Sequence, residues 1–151
     1  LIFKSLKTKL FFFIDDIYEK NKRLNLNFGH TFAHAFEMST QKIYGKELLR
    51  HGEAVGIGML SEILYSNKGK KNNLFYLCEN ILNLYNLPVE LKKYNSLSNI
   101  MDITYKNIFL DKKKISKSPR YIKLQKIGKP KISDMEDINL INEVLFEVLG
   151  F

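Results

Sequence analysis

The 151-residue chain lacks several features that would define a protein class. Cys78 is its only cysteine, which excludes a disulfide framework and a cysteine zinc cluster and favours a reducing compartment. No apolar run approaches the roughly 18 residues that cross a bilayer, and segment 10–14 is too short for a signal-peptide core. Internal repeats and low-complexity linkers are also missing. We therefore expect one domain, residues 1–151, in the cytoplasm and away from membranes.

The charge balance is basic, with a formal net charge of +8. Such a balance can indicate nucleic-acid binding, but here the lysines are spread along the chain, which is typical of compositional drift. We therefore expect no nucleic-acid partner. Basic groups also suit a small anionic substrate, which they bind by charge-assisted hydrogen bonds. The chain begins with Leu1 instead of methionine, which suggests a fragment or a processed chain.

Hydrophobic periodicity predicts a mostly α-helical domain with at most one small β-hairpin. Helices are predicted over 1–19, 30–39, 51–65, 74–87, 96–110 and 133–149, and a short strand over 120–127 with a turn at 128–130. Segment 21–28 is predicted to be a connection. The helix over 51–65 is apolar on nearly all sides, which places it in a core. Its Gly56 and Gly58 each cost about 1 kcal/mol relative to alanine, which predicts a close approach of another backbone or a ligand.

All three histidines lie between positions 30 and 51. His30 and His34 are four residues apart and share one helix face with Glu37, while His51 opens the buried helix. Histidine is the commonest metal ligand, so a divalent metal could bind His30 with His34, or His30 with His51 from two packed helices. The remaining ligand would be Glu37, Glu53 or a residue outside this chain. A simple polar stripe is the competing interpretation.

Two motifs carry a family resemblance. The segment LNFGHTFAHAFE at 26–37, followed by HGEAVGIGM at 51–59, resembles the signature of the 3-dehydroquinate synthases. The segment DKK at 111–113 resembles the family's later basic loop, and Lys9, Asp16 and Glu19 keep the family's spacing before Arg23. Ala33 departs from the usual glycine by one methyl group. The resemblance covers nearly the whole chain and implies the C-terminal helical domain of that fold, with the N-terminal NAD-binding domain absent.

The resemblance implies a lyase of the shikimate pathway, which supplies chorismate and the aromatic amino acids. The family converts 3-deoxy-arabino-heptulosonate 7-phosphate to 3-dehydroquinate and phosphate. It does so by transient oxidation with NAD, phosphate elimination, reduction and intramolecular aldol closure. A zinc or cobalt ion polarises the substrate hydroxyl that is oxidised.

The resemblance also implies roles for single residues. His30 and His51 match the two histidine metal ligands, and the third ligand is a glutamate from upstream. His34 matches the active-site histidine near the phosphate, and Glu19 matches an acid that orients basic residues. The residues that match substrate contacts are Lys9, Arg23, Asn27 and one of Lys112 and Lys113.

What the chain lacks limits what it is expected to do alone. It contains no glycine-rich loop for NAD, so its partners are expected to be its own N-terminal NAD domain and a sugar phosphate, and a homodimer is left open. The chain alone is expected to be inactive and to expose an apolar patch. Two alternatives remain: another sugar-phosphate cyclase on the same scaffold, and a truncated helical domain without catalysis.

Overall fold

The fold is a set of packed helices with one small hairpin. The computed structural model describes residues 1–46, 48–92, 99–110 and 118–151. The helices are α1 (Ile2–Phe13), α2 (His30–Tyr44), α3 (His51–Ser66), α4 (Asn73–Leu84), α5 (Ile100–Leu110) and α6 (Ile138–Leu149). Strands β1 (Arg120–Leu124) and β2 (Pro130–Asp134) pair antiparallel, with Ile122 opposite Ile132. The predicted mostly α-helical domain with one hairpin is confirmed.

Helix α3 forms the centre of the core. Ten of its 16 residues are buried, because it packs against α2, α4, α6 and β1 on different sides. Because α3 has packing partners on most of its sides, its side chains are apolar on nearly all faces. Leu60 and Ile57 are fully buried, and each such side chain stabilises the fold by about 1.5–3 kcal/mol. Helix α2 lies between α3 and α5.

The ends of α2 and α3 are fixed by local signals. Gly29, with φ +86°, precedes α2, and Gly45, with φ +71°, ends it, a left-handed conformation that favours glycine. At the start of α3, Glu53 Oε2 accepts the Arg50 backbone N–H at 2.8 Å, as in one half of a capping box. These signals make a histidine the first residue of each helix.

Several predicted boundaries were wrong. The last helix was predicted from Ser133, but residues 130–134 pair with β1, and α6 begins only after Asp137, whose side chain accepts the Leu140 N–H at 3.0 Å. Helix α2 runs to Tyr44, beyond the predicted end at residue 39. The predicted connection 21–28 contains a 3-10 helix, Lys22–Asn27.

Helix α1 is shorter than predicted and differs from the others in burial. It ends at Phe13, and none of its twelve described residues is buried. Its apolar side chains Ile2, Phe3, Leu6 and Phe11 are more than half exposed, in keeping with the expected apolar patch. Among the described residues, no helix has the length and apolar character that crossing a bilayer requires.

Candidate active site

The three histidines converge at the N-terminal ends of α2 and α3. The ring centroids of His30 and His51 are 5.2 Å apart, those of His30 and His34 are 5.6 Å apart, and those of His34 and His51 are 6.2 Å apart. The first pair joins two helices that are separated by a loop in the sequence. The cluster is therefore a product of tertiary packing as well as of the i, i+4 spacing.

Close packing of two glycines brings the helices together. A Cβ at Gly58 would overlap the carbonyl oxygen of Gly29 and lie 2.9 Å from its carbonyl carbon. A Cβ at Gly29 would in turn lie 2.7 Å from the Met59 nitrogen. The first turn of α2 thus rests directly on the backbone of α3. The sequence prediction of a close backbone approach is confirmed at Gly58.

The surroundings of His30 favour its neutral form. Partial burial lowers the pKa of His30, and His34 and His51 lower it further, while the Phe28 carbonyl and Glu37 act in the opposite direction. His30 Nδ1 lies 3.4 Å from the Phe28 carbonyl oxygen. A proton on Nδ1 would leave Nε2 free as a ligand atom. Neutral imidazole is the form that binds a metal.

Glu37 pairs with His51, whose side chain is exposed. His51 Nδ1 lies 3.0 Å from Glu37 Oε1. A carboxylate in this position typically orients a metal-binding imidazole and raises its basicity. Glu53, the other candidate acid, is held at the start of α3 by its contact with the Arg50 N–H.

The histidine side chains are of a type that binds metals, but the part of the chain that the structure describes supplies too few ligands to complete a metal site. Imidazole nitrogens of His30 and His51 are typical ligands for zinc or cobalt. Among the residues that the structure describes, no group of three or more His, Cys, Asp or Glu side chains is arranged to hold a metal ion. The residues therefore fit as part of a metal site that needs a further ligand.

A cavity of about 530 Å³ opens beside the cluster. It lies between α1, the 3-10 helix and the start of α2. Its polar lining carries two positive charges and one negative charge, with His30 at one end; the charged or polar residues are Ser5, Thr8, Lys9, Glu19, Arg23, Asn27 and His30. A volume of this size accommodates a small metabolite. His30 is shared by the cavity and the histidine cluster.

Glu19 organises the polar wall of the cavity. Its Oε1 accepts a hydrogen bond from Asn27 Nδ2 at 2.5 Å, and its Oε2 lies 3.4 Å from an Arg23 nitrogen. The Arg23 guanidinium also donates to the Ile17 carbonyl at 2.6 Å and lies over the Phe13 ring. Glu19 has φ +53°, which is strained for a residue other than glycine. The backbone thus holds this carboxylate where it can contact both partners.

Asp16 holds the segment that presents Glu19 and Arg23. The buried carboxylate accepts backbone N–H groups from Lys20 at 2.8 Å, Asn21 at 2.7 Å and Arg23 at 3.0 Å. Burial alone would raise the pKa of Asp16, but these N–H groups and the Arg23 charge hold it below its ordinary value. The spacing of Asp16 was noted from the sequence, but this capping of the loop was missed.

The structure thus brings most of the predicted site residues together. Lys9, Glu19, Arg23, Asn27 and His30 line one cavity, and His34 and His51 adjoin it through the ring contacts. Lys112 and Lys113 lie outside the described residues.

One buried group was not predicted from the sequence: the carboxyl group of Glu62 on α3, which accepts the Ile122 N–H at 3.0 Å. Its signal in the sequence is an acid in the second half of a helix that is apolar on nearly all sides.

Comparison with known proteins gives a consistent family signal. Residues 1–114 match the family model described as 3-dehydroquinate synthase C-terminal. The 3-dehydroquinate synthase of Staphylococcus carnosus is 34% identical over 148 residues, which are 95% of this chain and 36% of the relative. That of Staphylococcus epidermidis is 32% identical over 143 residues, or 93% and 37%. That of Pelagibacter ubique is 40% identical over 107 residues, or 70% and 28%.

The chain is similar to a solved structure as well. A crystal structure of 2-deoxy-scyllo-inosose synthase, complexed with carbaglucose-6-phosphate, NAD+ and Co2+, has a TM-score of 0.61 and 26% identity. The match covers 89% of this chain and 36% of that one. The matched part of the chain therefore spans 28–37% of the length of these relatives.

Proposed function

Because the chain belongs to the 3-dehydroquinate synthase family, as its C-terminal domain, we propose that it is the metal- and substrate-binding part of a 3-dehydroquinate synthase. The reaction is the conversion of 3-deoxy-arabino-heptulosonate 7-phosphate to 3-dehydroquinate and phosphate, a lyase step of the shikimate pathway in the cytoplasm. The position of His30 carries the proposal. Among the residues that the structure describes, it is the one that both lines the basic cavity and contacts the other two histidines.

His30 and His51 would hold the divalent metal. Their rings come from two different helices, and the backbone contact of Gly29 with Gly58 fixes those helices against each other. Glu37 orients the His51 ring through Nδ1. When bound, zinc or cobalt supplies a Lewis acid for a substrate hydroxyl. The further ligand is proposed to be a glutamate outside this chain.

The cavity would bind the anionic groups of the substrate. Arg23 and Lys9 supply charge-assisted donors, and Asn27 adds a neutral amide. Arg23 is already held by Glu19 and the Phe13 ring, so little of its side-chain freedom is lost on binding. His34 is proposed to contact the phosphate. One of Lys112 and Lys113 is proposed to approach the same group from its loop.

The remaining parts of the enzyme are proposed to lie outside this chain. NAD supplies the hydride acceptor and donor of the reaction and would bind an N-terminal domain, in keeping with the share of the relatives that the chain spans. The site in this chain would then close against that domain and exclude water from the reacting centre. The assembly could be a monomer or a homodimer.

Phosphate release tests this function. The protein expressed from its complete gene is supplied with NAD, Co²⁺ and the heptulosonate phosphate, and free phosphate is measured. We expect turnover in the wild type and a loss of at least a hundredfold in kcat/KM for Arg23→Ala. The matched control is Lys70→Ala, which removes the same charge in the loop beyond the far end of α3, where the residue is exposed. It should retain wild-type kinetics.

The similarity of this chain to a solved structure favours a second candidate function. Because that structure is of a 2-deoxy-scyllo-inosose synthase, the alternative is another sugar-phosphate cyclase. Phosphate release from a different sugar phosphate, but not from the heptulosonate, would favour that alternative. Metal uptake without phosphate release from either substrate would instead favour a non-catalytic helical domain.

A further inference from the structure

Glu62 is a buried carboxylic acid on a helix whose other buried side chains are mostly apolar. It lies in the last part of α3 and is fully buried, with 0% of the residue exposed. Burial raises its pKa to about 8, although nearby N–H groups act in the opposite direction. A buried carboxyl group is costly unless it is well hydrogen-bonded, and an apolar side chain of similar size is often at least as stable in such a place. Core packing alone therefore does not explain a glutamate at this position.

Its surroundings connect three elements of the fold. Glu62 Oε2 accepts the Ile122 N–H of β1 at 3.0 Å. The carboxyl group also lies close enough to the backbone N–H groups of Gly29 and Thr31 for them to lower its pKa. Its Oε1 has no hydrogen-bond partner of normal geometry among the described residues. The group is thus anchored on β1 and faces the first turn of α2.

A second contact joins the first turn of α2 directly to β1. Thr31 Oγ1 donates to the Arg120 carbonyl of β1 at 2.6 Å. We call Glu62, Thr31, Arg120 and Ile122 the α2–α3–β1 clasp. They contact the chain on both sides of His30, through Gly29 and Thr31. Rotation of this turn would move the His30 ring away from His51, since His30 is the first residue of α2.

We propose that Glu62 is a positioning residue of the metal site, which fixes the first turn of α2 against α3 and β1 so that His30 faces His51. This role rests on the proposed function, because it takes these two histidines as metal ligands. Glu62 itself contacts neither the metal nor the substrate. It acts through the backbone of Gly29 and Thr31, as partners of ligand residues do in other metal sites.

Three substitutions at Glu62 separate positioning from simple core packing. Glu62→Gln keeps the length and one acceptor oxygen, whereas Glu62→Met fills the space without an acceptor. Glu62→Asp keeps the carboxyl group but is one methylene too short to reach both β1 and α2, and it covers the case in which the Met variant does not fold. Ser61→Ala is the matched control, because Ser61 is equally buried but donates only to Ile57 of its own helix at 2.9 Å.

The probe is Co²⁺, added to the protein expressed from its complete gene. Its affinity is measured by competition with a chelator, and its visible absorption reports the ligand geometry. We expect the Met and Asp variants to bind Co²⁺ about 10- to 100-fold more weakly, with a shifted spectrum. Glu62→Gln should stay within about threefold of the wild type, because its amide oxygen can still accept the Ile122 N–H. Ser61→Ala should be unchanged.

The outcomes decide between the two roles. If folded Met or Asp variants lose thermal stability but keep the affinity and spectrum of the wild type, Glu62 is only a structural anchor and the proposal is wrong. If the wild type takes up no Co²⁺, the proposed metal site fails instead. Glu62 is then judged in the metal-free protein from the proton NOE between the His30 and His51 rings. That NOE should persist in the Gln variant and vanish in the Met and Asp variants, and its persistence in all of them would overturn the proposal.

Discussion

Replacing Gly58 by alanine places a methyl group where α3 meets the first turn of α2. The new Cβ would overlap the Gly29 carbonyl oxygen and lie 2.9 Å from its carbon and 3.0 Å from the Ala33 nitrogen. All three are backbone atoms, so no flexible side chain can move aside. Helix α2 must instead shift as a whole and carry His30 with it. We therefore expect a loss of both stability and Co²⁺ affinity.

The magnitude follows from two opposing effects. Overpacking a core typically costs 1–3 kcal/mol, and contacts that are entirely backbone place this case at about 3 kcal/mol. Alanine is favoured over glycine in a helix by about 1 kcal/mol. The net loss of about 2 kcal/mol corresponds to a fall in Tm of roughly 4–8 °C for a chain of this size.

Two other glycines of α3 supply matched controls. A Cβ at Gly52 would meet nothing within 4 Å, so Gly52→Ala should be neutral or slightly stabilising. A Cβ at Gly56 would meet only the end of the Leu82 side chain, at 2.9 Å, which can rotate, so this variant should fall between the other two. Thermal and denaturant unfolding measure the series. Equal stabilities for Gly52→Ala and Gly58→Ala would refute the reasoning, as would a larger loss at Gly56.

Two further predictions concern pH. Between its ordinary pKa of 4.5 and its folded value of about 8, Glu62 binds more protons in the native state, so its contribution is fully present below 4.5 and stability falls as pH rises through this window. At about 1.4 kcal/mol per tenfold change in proton affinity, this group can change the free energy of unfolding by at most about 5 kcal/mol. Denaturant unfolding should show a free energy of unfolding that depends less on pH in Glu62→Gln than in the wild type from pH 5 to 8, and parallel profiles would contradict this. The lowered pKa of Asp16 has the opposite sign: its contribution is present above the ordinary value of 3.8 and is lost as pH falls through the lower folded value. Amide exchange at Lys20, Asn21 and Arg23, corrected for its intrinsic pH dependence, should lose protection in that acid range, and Asp16→Asn should show weak protection there at every pH.

The helices could be predicted from the sequence because their apolar periodicity reflects the core that they pack against. Helix α3 is the clearest case, since being apolar all round matches burial on all sides. The start of α6 could not be placed in this way. Ile132 and Met135 have a spacing that also fits a helix, and the choice depends on pairing with β1 and on the cap at Asp137. Such pairing is a tertiary contact, which overrides local propensity.

The site could be predicted only in part, for a related reason. The spacing of His30 and His34 is local, and their shared face follows from helix geometry. The bonds of Glu19 to Asn27 depend on a left-handed backbone at Glu19, which no periodicity encodes. Glu62 was missed because an acid in a helical pattern is ordinarily solvated. Only the absence of a polar face on α3 indicated that it must be buried.

The two walls of the cavity are held in different ways, and this difference bears on how the site would work. His30 stands on α2, which is anchored in the core through Phe32 and Phe36, both at most 1% exposed. Lys9 stands on α1, none of whose described residues is buried, so that wall depends on the contact of α1 with the 3-10 helix, where Arg23 lies over the Phe13 ring. Local opening is easiest where few apolar contacts are lost, so the α1 wall should open before the α2 wall. An anion bound between Lys9 and His30 would add contacts to the weaker wall and so stabilise the closed form of the cavity.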